Sequence, residues 1–158
     1  MEGRMAKKDV PIEKLKDYVG EEIAVTDWFE IDQERVNQFA ECTEDRQWIH
    51  TDRKKAVAGP FGGTIAHGLL LLSFIPPFLT KSLKFNMTGI SIFINYGFNK
   101  IRFLTPVRVG SRIRIRYQLT EFTDKGSGRY LCKVPCTFEV EGAEKPAAVA
   151  EFLAMFVK

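Results

Sequence analysis

The chain has 158 residues, 45% of them hydrophobic and 27% charged, and its 23 basic and 20 acidic side chains leave a formal charge of +3. Those values fit one globular domain, exclude the disordered and fibrous classes, and are too mildly basic to point to nucleic acid. Three cysteines, Cys42, Cys132 and Cys136, with no C-x-x-C pair, argue against a disulfide framework or a structural zinc site and for reduced thiols in a cytoplasmic protein.

In chain order, Met1 to Lys8 (MEGRMAKK) reads as a tag remnant or an alternative start at Met5, with no apolar targeting core behind it. Residues 1–10 are expected to be flexible and residues 11–158 to form a single domain. Pro11 to Tyr18 reads as a short helix stopped by Gly20, and Glu22 to Ile31 as a strand. Asp32 can cap a helix over Gln33 to Cys42, in which Val36, Phe39 and Ala40 share a face. Thr43 to Thr51 is polar without a period and reads as a loop, and Asp52 caps a further short helix through Ala58. The stretch from Ile65 to Leu79 is the most apolar, yet shorter than the ~20 residues of a membrane span. It predicts a buried helix from Ala66 to Ile75, ended by the Pro76-Pro77 pair. Ser91 to Leu104, Arg112 to Thr123, Arg129 to Val140 and Ala147 to Val157 read as strands, with turns at 124–128 and 141–144. The simplest packing is α+β, a long antiparallel sheet curled around one apolar helix.

Two histidines bound the search for chemistry. Asp45 and His50 fall in one polar segment, where a carboxylate and an imidazole can converge on a water and exchange its proton near neutral pH. Taken alone, Asp-x4-His is a weak pattern and fits a turn or capping aspartate and an exposed surface histidine better. In Gly62-Gly63-Thr64-Ile65-Ala66-His67-Gly68, glycines lead into the apolar helix, whose first-turn N–H groups suit a carbonyl oxygen that gains negative charge. Plain tight turns and close packing are the alternative. No phosphate-loop pattern is present. His67 is read mainly as a ring that hydrogen-bonds nearby backbone, with a second acid–base role as the rival.

Asp45-x4-His50, then Pro60-Phe61-Gly62-Gly63-x-Ile65-Ala66-His67-Gly68, then Tyr96-Gly97-x3-Ile101-Arg102-Phe103-x2-Pro106-Val107-x-Val109-Gly110-Ser111, together resemble the MaoC-like dehydratases, or (R)-specific enoyl-CoA hydratases. The D-R-Q-W-I-H run followed by G-P-F-G-G is similar to the branch named after nodulation protein N. The resemblance implies a hot-dog fold and a homodimer, with Asp45 and His50 as the acid–base pair and the Gly68 N–H as the oxyanion donor. It further implies reversible hydration of a trans-2-enoyl thioester in fatty-acid metabolism. No metal and no cofactor are implied; an acyl-CoA or acyl-carrier thioester is the substrate, without nucleic acid or membrane as partner.

Gln47, Trp48, Gly63, His67, Ser73 and Tyr96 are candidate substrate contacts. The usual G-D-x-N-P-[LIV]-H loop carries Glu44, Gln47 and Trp48 here at the Gly, Asn and Pro positions, and Pro76 stands where some relatives have a pocket serine. Arg112, Arg114 and Arg116 alternate with isoleucines, which reads first as a solvated strand face and second as attraction for coenzyme A phosphates. Cys132 and Cys136 fall on one strand face and read as core. The rival functions are a non-catalytic acyl-thioester-binding hot-dog protein and a hot-dog thioesterase.

Overall fold

Period-two alternation dominates the second half of the chain, and it builds the sheet on which everything else rests. In the computed structural model, which describes residues 6–158, β1 (Asp9–Pro11) and a 3₁₀ turn (Ile12–Tyr18) lead into β2 (Glu22–Val25) and β3 (Phe29–Glu30). Five helices follow: α1 (Gln33–Thr43), α2 (Trp48–Thr51), α3 (Arg53–Val57), α4 (Gly68–Ser73) and α5 (Ile75–Ser82). The remaining strands are β4 (Asn86–Thr88), β5 (Ile92–Phe103), β6 (Arg112–Gln118), β7 (Glu121–Gly126), β8 (Arg129–Val140) and β9 (Ala148–Val157). The main sheet is antiparallel, in the order β2-β6-β8-β9-β5, with β3 also on β6 and β7 also on β8; β1 and β4 form a separate parallel ribbon.

One face of the sheet is the core. Ile113, Ile115 and Tyr117 of β6, Cys132, Val134, Cys136 and Phe138 of β8, and Ala150, Phe152 and Ala154 of β9 are buried in one cluster with Leu70, Leu71, Ile75 and Leu79 of the two consecutive helices. The Tyr117 hydroxyl donates to the Ile75 carbonyl at 3.1 Å, tying sheet to helix. The opposite face is charged. Arg112 pairs with Glu141, Arg114 with Glu139, and Arg116 with both Glu139 and Glu22. The basic stretch is therefore a solvated face whose arginines already hold carboxylates. Burial pushes the Cys132 thiol up to about 12 and raises that of Cys136, as expected for core thiols.

Several sequence expectations are corrected. Residues 1–5 of the segment expected to be flexible lie outside the described residues, but residues 9–11 are a strand, with Val10 buried. The leading helix is a 3₁₀ turn. The expected strand 22–31 breaks after Val25, because the Thr26 hydroxyl accepts the Ile115 N–H at 2.9 Å where a ladder carbonyl would stand. The strand from Arg112 divides at Leu119 and Thr120, whose N–H groups bond Glu21 and Lys133 respectively, so the chain changes partner there. The apolar helix starts at Gly68 rather than Ala66, since Ala66 N–H bonds Val107 and Ile65 bridges Arg108 in extended conformation. Nor does it end at Ile75. It pauses at Phe74 and restarts as α5, with Pro76 and Pro77 in the first turn, where a missing N–H costs nothing. The helices are also not buried all round: Leu69, Ser73 and Pro77 form an exposed stripe.

Phe152 is fully buried, with Phe93 and Phe98 ring centroids 6.1 and 5.4 Å from its own. Phe152→Ala should destabilise the fold by about 3–5 kcal/mol, read as a lowered midpoint in urea unfolding.

Candidate active site

The Asp32 carboxylate accepts the Arg35 N–H at 2.7 Å and starts α1 as expected. The helix stops at Glu44, whose φ of 63° is left-handed, a conformation glycine takes at least cost. That reversal releases Asp45 to the surface, its side chain 55% exposed. The expected loop 43–51 is then half helical. In α2 the His50 N–H closes onto Gln47 O at 2.9 Å, and this turn carries the His50 ring inward to 7% exposure.

His50 is held from three sides. Its Nδ1 lies 2.7 Å from the Ile65 carbonyl. A carbonyl only accepts, so Nδ1 carries the hydrogen and Nε2 keeps its lone pair. The Gln33 amide donates to the His50 carbonyl at 2.7 Å, and the Thr64 hydroxyl donates to Gln33 Oε1 at 2.6 Å. The backbone closes the frame, with Ile65 N–H on the Ile49 carbonyl at 3.0 Å.

The His67 ring stacks on His50, centroids 3.7 Å apart at 23°. Its Nε2 lies 2.9 Å from the Asp45 main-chain carbonyl, which makes Nε2–H the donor. One donor-type atom from each of Asp45, His50 and His67 lies within 4.8 Å of the others. These are also the residues that offer metal-type ligands. Lone pairs lie in the ring planes, however, and two planes stacked this closely converge poorly on one ion. The spacing suits a bridging water better. Burial pulls the His50 pKa below the usual imidazole value; the Ile65 bond opposes this, the neighbouring His67 adds to it and Asp45 opposes it.

All three residues line a cavity of about 430 Å³. Gly68, at the first turn of α4, lines it beside them, and its N–H has no intrahelical acceptor. Leu69, Leu71, Phe103, Leu104, Pro106 and Ala147 make the rest of the wall apolar. A Cβ on Gly68 would lie 2.8 Å from the Phe103 ring, so only glycine lets that ring sit where it does. Phe103, Leu104 and the Gln33 clamp were not among the sequence candidates. The first two lie midway along the motif that runs from Tyr96 to Ser111, and a polar residue opening a helix gave no sign that Gln33 is buried.

Five candidate contacts lie outside this cavity. Gln47 is exposed and starts α2 with its carbonyl. Trp48 folds back over Gly59, with Lys55 Nζ 4.7 Å above its ring. Gly63 backs onto the Arg108 guanidinium in a separate surface recess. The Ser73 hydroxyl donates to Leu69 O at 2.9 Å on the exposed stripe of α4. Tyr96 is 60% exposed on β5. His67 and Gly68 reach the cavity; these five do not.

His50 should titrate below the free-imidazole value of about 6.5, followed by NMR of its ring protons. Between that value and its own pKa, the unfolded chain takes up a proton that the native state refuses. Stability should therefore fall as pH drops through this window.

Comparison with known proteins agrees with this geometry. The chain matches the MaoC like domain over residues 14–135. It is 46% identical over 138 residues to 3-hydroxyacyl-thioester dehydratase Z of Mycobacterium tuberculosis, covering 87% of this chain and 90% of that protein. It is 35% identical over 154 residues to Nodulation protein N of Rhizobium meliloti, covering 93% and 91%. Among solved structures, the (R)-hydratase from A. caviae involved in PHA biosynthesis superposes with a TM-score of 0.69 at 21% identity, over 85% of this chain and 95% of that one, and shows the same hot-dog fold. With its sheet wrapped on α4–α5 and its Asp45–His50 pair at the cavity, the chain belongs to the MaoC-like dehydratase family.

Proposed function

We propose that the protein is a hydro-lyase that adds water reversibly across a trans-2-enoyl thioester, giving the (R)-3-hydroxyacyl thioester. The observation that carries this reading is the pairing of a buried, Nδ1-protonated His50 with the Asp45 carboxylate in the wall of a largely apolar cavity. The 46% identical relative is named for the same chemical class.

The acyl chain takes the apolar wall, and the thioester carbonyl accepts from Gly68 N–H. One such donor is worth about 3–4 kcal/mol as negative charge develops on that oxygen. Asp45 and His50 hold one water over the β-carbon. As its oxygen bonds that carbon, its proton passes to the pair, and the π electrons move toward the carbonyl. A proton returned to the α-carbon completes the addition, and the reverse sequence is dehydration. The chemistry needs no metal or redox cofactor, and coenzyme A or an acyl carrier enters only as part of the substrate. The residues from Ile65 to Leu79 include no carboxylate of the kind a hot-dog thioesterase would use.

The assembly proposed is a homodimer through β5. This 12-residue strand ends the sheet, and Ile92, Ile94, Tyr96 and Phe103 on it are 43–60% exposed. A long apolar edge invites pairing unless covered. Free thiols fit a cytoplasmic protein, and among the described residues no helix is long and apolar enough to cross a membrane.

Asp45→Asn and His50→Ala should each lower the rate by at least ~10²-fold, followed as loss of the conjugated enoyl-thioester absorbance with trans-2-enoyl-CoA substrates. Wild-type turnover by either variant would overturn the assignment. Ile94→Lys should convert a dimer to a monomer in light scattering; an unchanged dimer would place the interface elsewhere.

A further inference from the structure

Asp45 is the least supported member of the pair. It follows a left-handed residue, its carboxylate is exposed, and among the described residues no hydrogen bond to that carboxylate is found. What holds it is a contact made 22 residues away in sequence, from the His67 ring to its main-chain carbonyl. The same ring lies face to face with His50. The main chain of His67 caps α4, its carbonyl accepting the Leu71 N–H at 3.3 Å, one residue before the N–H assigned to the thioester oxygen.

His67 is 3% exposed, and its Nδ1 is buried without a partner. A ring kept only for packing would be served by phenylalanine, with no nitrogen left unsatisfied. The nitrogen that is satisfied is the one that reaches Asp45. We propose that His67 is a positioning residue that holds the Asp45 carboxylate, the His50 imidazole and the Gly68 N–H in fixed register, acting on the reaction through them rather than on the substrate. This inference rests on the hydro-lyase reading above.

Three consequences separate it from a packing role. His67→Phe keeps the aromatic plane against His50 and removes the donor. Its kcat should fall by about 10²-fold, the scale of an ångström-level misplacement, with KM close to wild type because the apolar part of the wall, which takes the acyl chain, is unchanged. His67→Gln places an amide N–H at similar reach and should recover most of that loss. In the wild-type protein, long-range ¹H–¹⁵N correlation should show His67 carrying its hydrogen on Nε2 and His50 on Nδ1. The chain has only two histidines, so one variant assigns both rings.

The experiment measures kcat and KM on trans-2-enoyl-CoA for wild type and both His67 variants, with thermal unfolding and the tautomer spectrum alongside. Loss of kcat in His67→Phe, recovery in His67→Gln and the Nε2–H tautomer together support the proposal. Wild-type kcat in His67→Phe, equal impairment of the two variants, or an Nδ1–H tautomer at His67 would each overturn it. Asp45→Asn in the same series keeps the two readings apart. If Asp45→Asn retains turnover, the catalytic assignment fails, and the tautomer spectrum alone decides whether His67 holds Asp45.

Discussion

The hydrogen bond from His50 Nδ1 to the Ile65 carbonyl is the contact on which the site depends. A buried imidazole without a partner would cost about 1–3 kcal/mol. With this partner the ring goes under the surface, its tautomer is settled, and Nε2 is left as an acceptor. The carbonyl is itself immobile, because Ile65 bridges Arg108 and its N–H is bonded to Ile49, while Ala66 N–H is bonded to Val107. A strand-like strap thus runs from the segment after β5 to the start of α4. The polar turn holding His50 hangs on that strap, and Gln33 reaches down from the first turn of α1 to lock it.

The sheet was largely legible because its signal is local and repeated. Strand β8 spans the residues that alternation marks, and the buried set Tyr130, Cys132, Val134, Cys136 and Phe138 is the expected face. The helix α1 was legible for the same reason, with a capping aspartate and a 3.6-residue period. The failures are places where a distant partner outbids the local rule. Thr26 leaves its strand because Ile115 needs an acceptor, and Pro76–Pro77 stays helical because a pause at Phe74 turns an interior position into a first turn.

The site was legible in part. Asp45, His50, His67 and Gly68 were marked by residue type and by resemblance, and they meet at one cavity. Adjacency in sequence misled for their neighbours. Gln47 and Trp48 sit between Asp45 and His50, yet the α2 turn sends their side chains away from the cavity while bringing His50 in. Trp48 covers Gly59 instead, so the tryptophan in the proline position of the usual loop reshapes the outer surface rather than the pocket. The glutamate in the glycine position keeps the backbone that glycine would favour, at a cost of about 1–2 kcal/mol for a left-handed non-glycine residue. The chain thus turns left-handed here against the local preference of its own residue, and the His67 bond to the Asp45 carbonyl is the contact that holds the turn.

The division of labour follows from these supports. The polar groups are carried by α1, α2 and the strap before α4, and their mutual bonds are short and buried. The apolar wall comes from Leu69 and Leu71 of α4 on one side and from the end of β5, the turn after it and Ala147 on the other, and this second side bonds the polar cluster only through Val107. Phe103 and Leu104 are half exposed and lie next to the edge on which a second copy would dock. On the proposed mechanism, changes in that wall should alter the acyl group admitted while leaving the hydrogen bonds that orient His50 intact. In the proposed mechanism selectivity and proton transfer therefore fall in separate parts of the fold, joined at Gly68, where the Phe103 ring rests on the residue whose N–H would receive the carbonyl. A Cβ at this position would meet the ring at 2.8 Å, so any larger residue there would have to turn Phe103 aside and reshape the wall at the point where it meets the chemistry.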